Sequence, residues 1–220
     1  MCFSAGASFT GAAVITTVGL ACLKKADSPS LRVFASIPLI FGIQQLSEGI
    51  IWVTLRSGGN VSLQKAATIV FLVTALLIWP VIIPYSMMQI EPGLKKKKIL
   101  RIFLLAGSLV AAYYAICLIC FKTAPVIESH HIRYTGDFPK PLVIPVFLLY
   151  LVVTIAPLFI SGVKNTRVMG VIIFLSVVVS AIFYKEYLTS VWCFFASLIS
   201  VVIYFILRYS FDEPARASLA

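Results

Sequence analysis

Charge is scarce in this chain. Of its 220 residues 12% are charged, about half of the roughly 25% usual in soluble domains. Acidic groups are rarest, with eight Asp and Glu against 18 Lys and Arg, and histidine occurs only twice. A chain 60% hydrophobic, with a mean hydropathy of +1.03, is excluded from both the water-soluble and the disordered classes. Five cysteines are too few for a disulfide-dense scaffold. Several motifs are also missing. There is no H-E-x-x-H metalloprotease helix and no G-x-x-x-x-G-K-[ST] phosphate loop. The last apolar run has no Lys to form a retinal Schiff base, and two adjacent His fall short of the set used by alkaline-ceramidase-like seven-span hydrolases. No removable signal peptide is expected.

What the chain does have is long apolar runs. About 20 such residues cross a hydrocarbon layer as a helix, and runs of that kind occupy 4–23, 33–55, 66–89, 99–121, 142–162, 168–184 and 188–207. The expected fold is therefore all-α, an integral membrane bundle of seven transmembrane helices forming one domain over 1–220. The longest hydrophilic stretch, 122–140, leaves no room for a separate soluble domain.

The basic residues orient it. Lys24, Lys25, Arg32, Lys95, Lys96, Lys97, Lys98, Arg101, Lys164, Arg167, Arg208 and Arg216 fall on one side; Arg56, Lys65, Lys122, Arg133, Lys140 and Lys185 fall on the other. This two-to-one excess puts the N-terminus outside and the C-terminus in the cytoplasm. The net charge of +10 then reads as membrane orientation, with no nucleic-acid partner. The lysines at 95–98 are expected to meet anionic lipid. Pro38, Pro80, Pro84, Pro145 and Pro157 lie within spans, where kinks are common.

Only one acidic residue, Glu48, falls inside an apolar run. A charge near the bilayer centre costs from about 2.5 to above 10 kcal/mol, so such a group is turned inward, paired or neutral. Gln44 and Gln45 precede it by four and three residues, on the same helical face, and Trp52 continues the row. At about 1.5 Å per residue, Glu48 lies about 6 Å outside the midplane, level with Trp192 and Cys193 of the last span. The outer side also receives Cys2, Cys117, Cys120, His130, His131 and Tyr134, whereas Cys22 lies on the other. Thiolate, imidazole and carboxylate are the usual ligands of Zn and Cu, and also the parts of a thiol nucleophile with its base. Cys117 and Cys120 form a C-x-x-C at the outer end of a helix, a weak redox signal that requires a partner pair such as Cys2 with Cys193. Asn60-Val61-Ser62 matches a glycosylation acceptor, a triplet frequent by chance.

Four stretches carry a resemblance: Met1-Cys2-Phe3-Ser4-Ala5, the run from Pro38 through Gln44-Gln45-Leu46-Ser47-Glu48-Gly49, His131-Ile132-Arg133-Tyr134, and Ser190-Val191-Trp192-Cys193-Phe194-Phe195-Ala196. Together they resemble a family of small bacterial membrane proteins of unknown function. The resemblance implies a bacterial cytoplasmic (inner) membrane location and draws attention to Cys2, Gln45, Glu48, His131, Tyr134, Trp192 and Cys193. It implies no activity.

The first functional expectation is an outward-facing pocket in a metal-binding membrane enzyme. Cys2, Cys193, His131 and Glu48 would hold Zn or Cu, with Glu48, His131 and Cys2 as reactive groups. Gln44, Gln45, Tyr134 and Trp192 would support them. The rivals are a small-solute or cation/proton-coupled transporter using Glu48, and a membrane sensor or assembly subunit.

Overall fold

A computed structural model describes residues 4–128, 131–183 and 188–210, with side chains for all of these except 180–183, 188–197 and 210. Helix α1 (Ala5–Lys24) opens on Ser4, whose hydroxyl accepts from the Ala7 amide. The second apolar run is broken near its start. A short helix α2 (Pro29–Ala35), capped by Ser28, gives way at Ser36 to α3 (Ile37–Ser57), and Pro38 sits in the first turn of α3, where its missing N–H costs no helical bond.

The third run is also composite. Asn60 Oδ1 accepts from the Ser62 and Leu63 amides, at 2.9 and 3.1 Å, and starts α4 (Val61–Val73). The glycosylation-like Asn is thus a helix cap. A π-helical turn, Thr74–Ile78, follows and leads into α5 (Trp79–Ile90). Helix α6 (Leu94–Cys120) takes the lysines at 95–98 into its first turns. Helices α7 (Lys140–Ile160), α8 (Thr166–Phe183) and α9 (Leu188–Ser210) complete the chain. Among the described residues, five helical segments are long and apolar enough to cross a membrane.

Neighbours in sequence pack as neighbours in space, and α9 returns to α1 and α3, closing the bundle. The α1–α3 seam is made of small residues. A methyl on Gly49 would lie 2.7 Å from the Phe9 ring, one on Gly19 would lie 3.0 Å from the Leu39 backbone nitrogen, and one on Gly42 would strike Thr16 Oγ1. Close approach of this kind is how helices associate where lipid removes the hydrophobic drive.

The hydrophilic stretch is not a plain loop. It holds an antiparallel hairpin, β1 (Thr123–Glu128) and β2 (His131–Gly136), with Glu128 opposite His131 and Thr123 opposite Gly136. An all-α reading missed it because the strands are short and flanked by proline and charge. Arg133 and Glu128 form an ion pair across it. Ile132, 1% exposed, drives into a cluster with Ile51, Trp52, Phe71 and Leu72, so the hairpin roofs one end of the bundle.

The opposite, lysine-bearing end carries a buried acid that its sequence position concealed. Glu91 lies between apolar runs yet is 5% exposed. Its Oε2 accepts from Ser161 Oγ at 3.0 Å and the Gly162 amide at 2.6 Å, and Oε1 accepts from the Gly93 amide at 3.1 Å. One carboxylate therefore ties the α5–α6 turn to the α7–α8 turn. Hydrogen bonds to a charged acceptor contribute more than neutral ones, and stranding buried donors adds to the loss. Glu91→Ala is expected to cost on the order of 3 kcal/mol, read as a lower midpoint in thermal unfolding in detergent, with Glu91→Gln retaining part of it. An unchanged midpoint in both variants would show that the clamp contributes nothing.

Candidate functional site

Two polar neighbourhoods lie beneath the hairpin, and α3 supplies side chains to both. Successive residues on a helix point about 100° apart, so Gln44 and Gln45 leave α3 in different directions.

Gln44 turns toward α5. Its Oε1 accepts the Trp79 indole N–H at 2.9 Å, and the Trp79 ring stacks on Phe41 with centroids 4.0 Å apart and planes 29° apart. Beyond this pair opens a cavity of about 260 Å³. Its floor and walls include Gln44, Trp79, Tyr113 and Tyr150, and its roof includes Tyr134 of the hairpin and Phe138 just after it. The π-helical turn helps shape it. A π turn displaces the backbone ladder by one residue and is frequent at functional sites. Here the Ala75 carbonyl accepts the Tyr150 hydroxyl at 2.7 Å, and Ala75 itself lines the cavity.

Glu48 and Gln45 are both 0% exposed and do not line this cavity. Trp52, one turn further, is also fully buried. Its indole N–H has no hydrogen-bond partner among the described residues, and the Arg56 guanidinium sits over its ring, 4.9 Å from the centroid. His131 is buried, and His130 lies outside the described residues. Tyr134 stacks on Phe71 with centroids 4.6 Å apart and planes nearly parallel. Gln45, Glu48, His131 and Tyr134 are each held by at least one hydrogen bond, ion pair, ring contact or electrostatic interaction.

Of the three polar residues along α3, Gln44 lines the aromatic cavity, and Gln45 and Glu48 do not. Among the described residues, no group of three or more His, Cys, Asp or Glu is placed to hold a metal ion. Cys2 lies outside the described residues, and so do the side chains of Trp192 and Cys193. Cys117 is buried on α6 and Cys120 is exposed; both are free thiols.

Across residues 1–218 the sequence matches the model of a family of unknown function, DUF6629. The chain belongs to DUF6629. No curated protein and no solved structure matches it. For this DUF6629 chain, function has to be argued from its own residues.

The cavity is not legible in the sequence, because its aromatic residues come from α3, α5, α6, the hairpin and α7, and no spacing along the chain joins them. The available signal was Trp79 directly before Pro80, an indole N–H deep in an apolar run that needed an acceptor.

Proposed function

We propose that this DUF6629 chain is a seven-span protein of the bacterial cytoplasmic membrane, N-terminus outside, that holds a Zn or Cu ion beneath its hairpin. The ligands are Cys2, Glu48, His131 and Cys193; Gln44, Gln45, Tyr134 and Trp192 support them. A bound ion there would act as a Lewis acid or redox centre for a lipid-side or periplasmic substrate.

The observation that carries this reading is the complete burial of Glu48 on α3, which packs against α1 and α9. Helix α9, whose N-terminal part includes position 193, packs against α1, α3 and β2. Ala5, three residues after Cys2, packs against the cluster that includes Trp52 and Ile132, and Ile132 is the chain neighbour of His131. A buried carboxylate in lipid is expensive unless it is paired or bound to a metal. The basic excess at one end supports the orientation, and the α6 lysines supply the charge for an anionic-lipid contact.

Metal analysis of protein purified in detergent tests the reading. About one equivalent of Zn or Cu is expected, with marked loss in Cys2→Ser, His131→Ala and Cys193→Ser. Absence of metal from the native protein after loading, or full retention in all three variants, overturns it. Proton or cation flux in liposomes that disappears in Glu48→Gln would assign Glu48 to transport instead.

A further inference from the structure

We infer that the aromatic cavity is a second binding site, for a neutral, flat, two-ring molecule carrying carbonyl oxygen, with a quinone as the chemical class that fits. Size comes first. An apolar cavity of about 150 Å³ takes up benzene, so 260 Å³ admits a second fused ring but not a lipid with two acyl chains.

Charge comes next. No Asp, Glu, Lys, Arg or His among the described residues lines the cavity, so an ionised ligand would lose its hydration with nothing to replace it. Shape follows from the walls. Phe41 and Trp79 present a stacked pair, and Tyr114 meets Tyr150 edge-on, with planes 84° apart. Such surfaces favour stacking or edge contact with another ring over contact with an alkyl chain.

The hydrogen-bonding groups select the oxygen. Trp79 has spent its N–H on Gln44, Tyr150 its hydroxyl proton on the Ala75 carbonyl, and Thr154 its own on the Tyr150 carbonyl at 2.8 Å. The Tyr113 hydroxyl is different. It is enclosed with the Cys117 thiol one turn on as its neighbour, and a thiol is a weak acceptor. A ligand carbonyl that turns it away from the thiol would offer a stronger acceptor. Glu48 and His131 take no part in lining this cavity, and Tyr134, which roofs it, also supports the proposed metal site, so metal content is measured beside ligand binding and the variants below leave Tyr134 intact.

Isothermal titration of the detergent-purified chain with 2-methyl-1,4-naphthoquinone tests the site, with naphthalene and 1,4-naphthoquinone-2-sulfonate as comparison probes. Saturable binding of the quinone is expected, with naphthalene weaker by about five- to twentyfold, the range one hydrogen bond supplies. Tyr113→Phe keeps the ring and should weaken only the quinone, bringing it level with naphthalene. Val143→Phe, at an exposed lining position on α7, should reduce both. The sulfonate should fail to bind. Quinone and naphthalene binding equally to the native chain would reduce the cavity to a general apolar site and overturn the inference. So would binding that neither variant alters, or no saturable binding at all.

Discussion

Gly107→Leu is expected to leave almost no folded protein, and Gly107→Ala to lower the unfolding midpoint sharply. Pro84 has no N–H to give to the carbonyl of residue 80, four positions earlier. The freed Pro80 oxygen points at α6, where Gly107 meets it so closely that any Cβ would overlap it. A flexible side chain moves aside, but a backbone carbonyl in a packed helix does not. Helices α5 and α6 would have to separate, opening the packing around Leu100, Val110 and Tyr114. Overpacking of a core typically costs about 1–3 kcal/mol, and contact with backbone belongs at or above the top of that range. Gly6→Ala is the control, since a methyl there meets nothing within 4 Å. Thermal unfolding of the purified variants in detergent checks the contrast, and equal midpoints for the two alanine variants would refute it.

The second large effect is at Glu48. Glu48→Lys is expected to abolish folded protein, whereas Glu48→Gln should fold with a midpoint close to that of the native chain. Glu48 is 0% exposed, among Gln45, Gly49 and Trp52, which are also buried. A carboxamide has nearly the shape of a carboxyl group and keeps its hydrogen-bonding capacity. Lysine adds length and a charge that would cost at least about 2.5 kcal/mol near the bilayer centre. If a metal binds here, Glu48→Gln separates fold from function, because the amide is a poor ligand for Zn or Cu. Size-exclusion profiles and metal content of the two variants give the answer. A monodisperse, stable Glu48→Lys protein would show that this carboxyl group reaches water.

Residues 44–48 show how far a sequence reading reaches. Burial of Glu48 was foreseeable, since an acid inside an apolar run has few other places to go. Helical spacing also put Gln44 near it, but could not show that the Gln44 carbonyl accepts the Trp79 indole N–H and lines a cavity. Glu91 is the converse case. It lies between runs and reads as solvated, but Ser161 and the Gly93 and Gly162 amides enclose it. The hairpin was equally hidden. Its docking depends on Ile132 and Tyr134 finding Trp52 and Phe71, which are more than 60 residues away in the chain.

Composition and hydropathic pattern alone established that this is a helical, membrane-compatible chain, located its apolar helices to within a few residues, and picked out Glu48 as buried. These properties follow from local transfer free energies, which each segment carries wherever it packs. Only the tertiary structure decided that α9 closes on α1, that the 122–140 segment roofs the bundle, that Gln44 faces an aromatic cavity and that Glu91 is a clamp. Those outcomes depend on shape complementarity and hydrogen-bond satisfaction between distant segments, which exist only once the helices have come together.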